Sequence, residues 1–264
     1  MLASSPQSRK LRLDVALVDR HFVESRERAQ ALILAGKVRV DGQRADKPGR
    51  PVSEDARIEI AQPLRYVSRG GIKLEAALAA FEVSVAQKVC LDVGTSTGGF
   101  TDCLLQHGAK RVHAVDTGAG QIHWKLRTDP RVVLHENVNA RYLTFEEIGE
   151  NVDIVTCDVS FISVTLLIPA LEKLLTTEGI WIILVKPQFE AGRELVGKGG
   201  IVRDATAQLA ACQRVAQVLQ ERGFSTRYIE SPILGAEGNR EFLLAATRNG
   251  AAASGVTGNY HARD

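Results

Sequence analysis

Lys73, Asp158, Lys186 and Glu241 are side chains whose types and places could do chemistry. Asp158 follows the strand-like run 152–157, Lys186 follows the apolar run 179–185, and Glu241 begins the run 241–246. Ligands of open α/β sheets sit outside the carboxyl ends of strands, so polar residues just past a strand are the ones to weigh. A desolvated lysine can stabilise a developing negative charge and, as its own pKa falls, accept a proton. Two lysines near two carboxylates would share charge and fix each other's orientation. Each residue also has a plainer reading, with Lys73 as a surface cation of its helix and the two acids as caps or loop residues. Lys186 resists that reading most, because it directly follows a buried strand and precedes Pro187.

A second constellation lies in Leu91-Asp92-Val93-Gly94-Thr95-Ser96-Thr97-Gly98-Gly99-Phe100. The run 88–91 reads as a buried strand ending in an acid and a glycine, and a helix restarts at Phe100. A glycine-bearing turn between strand and helix lets backbone approach a ligand and points free helix N–H groups at it. Position 96 is Ser, so this is not the G-x-G-x-x-G of a dinucleotide site. Asp-x-Gly-x-x-x-Gly-Gly resembles instead the site of class I S-adenosylmethionine (SAM) enzymes. Asp116 closes the strand 112–116, 22 residues beyond Gly94, where it could accept both ribose hydroxyls of an adenosine. The candidate cofactor-binding residues are Asp92, Gly94, Thr95, Ser96, Gly98, Gly99, Phe100 and Asp116, with Asp158. The plainer alternative is a sharp turn with a solvated acid.

The elements that must position these residues alternate strand and helix, as a doubly wound sheet requires. Residues 73–81 have helical apolar spacing, and helices are expected over 166–175 and 205–222. Further strands are expected over 152–157, 179–185, 226–229 and 241–246. The expected fold is α/β, a doubly wound SAM-type sheet over 73–248 preceded by a smaller α+β domain over 11–60. Residues 61–72 read as a linker, and 1–10 and 249–264 as flexible ends.

Residues 11–60 contain two helical patterns (11–18 and 25–33), Gly36-Lys37-Val38-Arg39-Val40, the hairpin signal Asp41-Gly42, and a returning strand at 56–60. This order resembles the S4 RNA-binding domain. Arg12, Arg26, Arg28, Lys37, Arg39, Arg44 and Lys47 would then form a basic face for phosphates, joined by Arg69 of the linker. Glu24, Glu27, Asp41 and Asp46 lie among them, so a merely solvated charged surface is the competing account.

Composition narrows the field. The 264 residues carry a net charge of +2, so nucleic-acid binding must come from local clusters. Cys90, Cys103, Cys157 and Cys212 stand singly, which supports neither a disulfide framework nor a zinc site. His107, His113, His123 and His135 lack metal-ligand spacing, and methyl transfer needs no metal. No segment approaches the ~20 apolar residues of a membrane span. Residues 4–10 are polar rather than the core of a signal peptide. The expected location is a reducing cytoplasm.

Taken together, the S4-like region, Ser68-Arg69-Gly70-Gly71-Ile72-Lys73-Leu74, the turn 91–101, Asp158-Val159-Ser160-Phe161-Ile162-Ser163 and Val185-Lys186-Pro187-Gln188-Phe189-Glu190 resemble the TlyA family over about residues 10–248. These are ribosomal RNA cytidine 2′-O-methyltransferases with an FtsJ-type catalytic domain, formerly labelled haemolysins. The resemblance implies SAM as cofactor, ribosomal RNA or ribosomal subunits as partner, and a Lys-Asp-Lys-Glu tetrad. The tetrad falls on Lys73, Asp158, Lys186 and Glu241, with Glu237 close to the last. Phe161 and Phe189 could stack a target base, although both also suit loop packing.

Three rival functions remain in view. A dehydrogenase lacks its glycine fingerprint here. An S4 protein with an inactive methyltransferase domain is disfavoured by an intact turn and tetrad. A membrane-active haemolysin would need a spanning or strongly amphipathic segment.

Overall fold

The computed structural model describes residues 10–60 and 65–248. The chain falls into two compact units, Met1–Leu64 and Arg65–Asp264. The ends expected to be flexible lie outside the described residues except for Lys10, as do residues 61–64 of the expected linker.

In the first unit, β1 (Lys10–Arg12) leads into α1 (Leu13–Asp19) and α2 (Arg26–Leu34). Ser25 caps α2 by accepting the Arg28 N–H, as its place before an apolar helix suggests. Then come β2 (Val38–Val40), β3 (Gln43–Ala45), β4 (Pro51–Ser53) and β5 (Ile58–Ile60). β2 and β3 form the hairpin expected from Asp41-Gly42, and β5 pairs with the other edge of β2. Val38 and Val40 face inward on Leu13, Leu17, Ala29 and Ile33, while Arg39 faces out. Leu11 and Arg12 do not belong to the first helix. They pair with Val52 and Pro51 as a two-stranded ribbon, and the helix starts at Leu13.

The second unit opens with α3 (Gly70–Ala80), whose first turn includes residues expected in the linker. There follow β6 (Val89–Val93), α4 (Gly99–Gln106), β7 (Arg111–Asp116), α5 (Trp124–Arg127), β8 (Val132–Glu136), α6 (Phe145–Ile148), β9 (Val152–Cys157), α7 (Ile168–Leu171), β10 (Leu175–Val185), α8 (Pro187–Glu190), α9 (Ala205–Gln220), β11 (Phe224–Glu230) and β12 (Phe242–Arg248). The helix expected over 166–175 is instead broken into short turns around Pro169, which has no N–H to continue a helical ladder. β10 accordingly begins early, with an irregularity between Leu175 and Ile180.

These strands form one seven-stranded mixed sheet in the order β11-β12-β10-β9-β6-β7-β8, with β12 antiparallel to both neighbours. α3 and α4 cover one face through Leu74, Ala77, Cys103 and Leu104. α7 and α9 cover the other through Ile168, Leu171, Val215 and Leu219. Burial on both faces explains why β6 is apolar almost throughout. The helix contact between α3 and α4 is close because glycine meets glycine. A Cβ on Gly99 would lie 2.1 Å from Ser68 Oγ and 3.0 Å from Gly71 N.

Candidate functional site

Strand register brings the candidate residues to one end of the sheet. Val93 pairs with Cys157, so Gly94 and Asp158 emerge side by side. Val185 pairs with Phe242 across the antiparallel junction, so Lys186 and Glu241 leave the sheet together. Lys186 Nζ lies 2.7 Å from Asp158 Oδ1 and donates to Ser160 Oγ at 2.9 Å. Lys73, from α3, pairs with Glu241, and both side chains are buried. Glu241, rather than Glu237, reaches the lysine.

The glycine turn is packed from several sides. Gly94 has φ of 82°, and its missing Cβ leaves space occupied by the Asp158 carbonyl. Asp116, at the end of β7, accepts the Ser96 N–H at 2.8 Å and the Gly118 N–H at 2.7 Å. Thr95 is buried, with its hydroxyl donating to the Asp92 carbonyl. Gly98 starts α4 in the left-handed region, against Leu126.

Asp92 stands apart from the expected cofactor-contacting role. Its carboxylate is fully buried and accepts from Thr101 Oγ1 at 2.6 Å and Thr156 Oγ1 at 2.9 Å. It braces the turn to α4 and β9 from behind, and burial pushes its pKa up to about 6.

Two cavities open here. One of about 280 Å³ is lined by Arg69, Lys73, Thr97, Phe100 and Lys186, among others. The other, about 470 Å³, is lined by Val115, Asp116, Asn139 and Phe161, among others. Gly94, Ser96, Asp158 and Ser160 line both. Phe161 is 92% exposed with φ of 66°, and its ring centroid lies 5.2 Å from that of Phe189. A molecule in each cavity would thus meet the other beside the Lys186–Asp158 pair.

The candidate RNA-binding residues of the first unit separate into groups. Arg12 and Arg26 converge on Asp14, at 3.0 and 3.1 Å, and Gln30 adds a hydrogen bond. Asp14 is fully buried, and the Arg12 guanidinium holds its carboxyl well below the usual carboxylate range. Sequence reasoning missed this acid, whose only local signal is its place at the start of a helix. Arg39 stands opposite Arg44 on the outer face of the β2–β3 hairpin. Arg28, Lys37 and Lys47 are exposed. Arg69 belongs to the second unit and borders the smaller cavity.

Comparison with known proteins gives the family of both units. Residues 66–248 match the FtsJ-like methyltransferase family, and residues 11–58 match the S4 domain. The 16S/23S rRNA (cytidine-2′-O)-methyltransferase TlyA of Mycobacterium tuberculosis is 45% identical over 240 residues, covering 90% of each chain. Hemolysin A of Brachyspira hyodysenteriae is 44% identical, covering 88% of this chain and 98% of that protein. A solved structure from Streptococcus thermophilus shares 43% identity and a TM-score of 0.71, covering 93% of this chain and 90% of that one. Among the described residues, no helix is long and apolar enough to cross a membrane.

Proposed function

The chain belongs to the TlyA family, an S4 domain followed by an FtsJ-like methyltransferase domain, and from that premise we propose that it methylates a cytidine 2′-hydroxyl in ribosomal RNA. The observation that carries the reading is the meeting of two cavities at Asp158, with Lys186 at the junction.

The larger cavity suits SAM. Asp116 uses one lone pair of each carboxylate oxygen on backbone N–H groups and keeps others for ribose hydroxyls. Gly94 leaves the turn without a side chain where a ligand must approach. Ser96, Val115 and Asn139 would complete the lining around the adenosine. When bound, SAM supplies an electrophilic methyl group.

The chain's own residues prepare the acceptor. A ribose 2′-hydroxyl is a weak nucleophile at neutral pH unless its developing charge is stabilised. Lys186 would lie beside that oxygen, where its ammonium stabilises the alkoxide as it forms. Asp158 and Ser160 hold the ammonium in place. Lys73 brings a second positive charge to the smaller cavity, oriented by Glu241. Arg69 at the rim would take a backbone phosphate, and the first unit's basic residues would hold RNA through salt-sensitive contacts.

The test is single-turnover methyl transfer to ribosomal subunits at saturating SAM. Lys186→Ala should slow it by about 100-fold or more, the scale of losing one charge-stabilising group. Affinities for SAM and RNA should change little, because this interaction strengthens only in the transition state. Lys186→Arg should also be slow, since a guanidinium neither deprotonates nor fits the same space. A wild-type rate in Lys186→Ala would remove the residue from the reaction.

A further inference from the structure

We infer that Glu190 is a positioning residue that sets the Asp158–Ser163 loop against Lys186; the catalytic part of this inference rests on the function proposed above. Lys186 and Glu190 bracket the single turn of α8, with Lys186 just before it and Glu190 at its end. Asp158 and Ser163 bracket a loop that follows β9 and carries Ser160 and the exposed, left-handed Phe161.

Both ends of this loop are joined to α8. At the near end Lys186 pairs with Asp158 and donates to Ser160. At the far end Ser163 Oγ donates to Glu190 Oε2 at 2.5 Å, and Val164 N donates to Glu190 Oε1 at 2.8 Å. A closed ring results: Asp158, loop, Ser163, Glu190, α8, Lys186, and back to Asp158. Arg214 of α9 donates to the Glu190 carbonyl at 2.5 Å, which ties the ring to the body of the domain.

Glu190 is a costly residue to place there. It is 4% exposed, no lysine or arginine forms an ion pair with its carboxylate among the described residues, and burial pushes its pKa up. A neutral or apolar side chain would pack at less cost if filling space were its only task. The carboxylate does what an apolar group cannot, since its two oxygens take two donors at once from the loop. Near the reacting atoms, loosening of this kind is expensive, because a displacement of about 1 Å can cost on the order of 100-fold in rate.

The experiment compares Glu190→Ala, Glu190→Gln and Ser163→Ala with wild type and Lys186→Ala in the full-length protein. Glu190→Ala should lower the single-turnover rate about tenfold or more, with SAM affinity and RNA half-saturation within about twofold of wild type. Glu190→Gln should recover most of the rate, because its carbonyl still accepts from Val164 and its amide can donate to Ser163. Ser163→Ala removes the hydroxyl's bond to Glu190, along with its contacts to Thr165 N and Oγ1, with little change in volume, and guards against a misfolded Glu190→Ala; it should fall between. A second readout needs no activity. In protein carrying ¹³C-lysine, the Lys186 ε-carbon signal, assigned by its absence in Lys186→Ala, should move in Glu190→Ala and Ser163→Ala and return toward wild type in Glu190→Gln. The inference is overturned if that signal stays in place, or if the variants lose thermal stability while the folded fraction keeps the wild-type rate. Lys186→Ala at the wild-type rate would refute the proposed function instead, and the lysine signal would still decide the role of Glu190.

Discussion

Gly94 and Asp158 touch backbone to backbone: a Cβ on Gly94 would lie 2.5 Å from the Asp158 carbonyl oxygen. The Asp158 N–H in turn donates to the Val93 carbonyl at 2.9 Å, so the glycine turn and the Asp158–Ser163 loop share one seam.

Gly94→Ala should therefore cost more than a strained backbone. Gly199 has a comparable φ of 80°, and a Cβ there would meet open space, so Gly199→Ala isolates the conformational part, about 1 kcal/mol. Gly94→Ala should lower the melting temperature further and weaken binding of S-adenosylhomocysteine at least about tenfold, as calorimetry would show. Equal effects of the two substitutions would mean that the seam has room to spare.

Asp116→Ala should weaken SAM binding strongly and leave RNA affinity nearly intact. Its two backbone hydrogen bonds disappear as well, so Asp116→Asn is the companion variant. SAM affinity equal to wild type in both would exclude the carboxylate from donor binding.

Asp92 makes a prediction in pH. Its pKa is about 6 in the folded chain against ~3.9 unfolded. The stability it contributes relative to a non-titrating residue is full below ~4 and lost as pH rises through about 6. Relative to Asp92→Asn, wild type should lose melting temperature between about pH 4 and 7 and show no further change above that range. The span is on the order of 3 kcal/mol. A pH-independent difference would show that the carboxylate titrates normally.

Arg39 and Arg44 form one exposed pair across β2 and β3. Replacing both with Ala should weaken RNA binding and lower the slope of log affinity against log salt by about one for each phosphate no longer neutralised. An unchanged slope in a filter-binding salt series would place the RNA elsewhere on this domain.

What can be read from the sequence follows the range of the forces involved. Asp158, Lys186 and Glu241 are legible because each adjoins an apolar run whose length marks a strand. The Asp41-Gly42 hairpin is legible because its turn chemistry is local. β1 and β4 are not, since Lys10–Arg12 runs straight into the apolar spacing of the first helix and its pairing with Pro51–Ser53 is non-local. β8 is hidden for another reason: every residue in it is half-buried, so it shows no alternation. Asp14 and Glu190 look like ordinary helical acids until partners 12 to 27 residues away are known. The motif around Asp92 suggests that it faces the cofactor, yet the structure turns its carboxylate into the core.

The place of β12 has a consequence for how the molecule is made. It is the last described strand in the chain, yet it lies inside the sheet, between β10 and β11. It also follows Glu241, which meets Lys73 across 168 residues of sequence. During synthesis, β6 to β10 can assemble while β10 still presents a bare edge, a template for unwanted pairing. Contacts this distant in sequence close late, after the loop entropy has been met. The lysine near the start of the domain thus has its counter-ion only once the strand after Glu241 is in place, so a cation lining the smaller cavity depends on both ends of the domain.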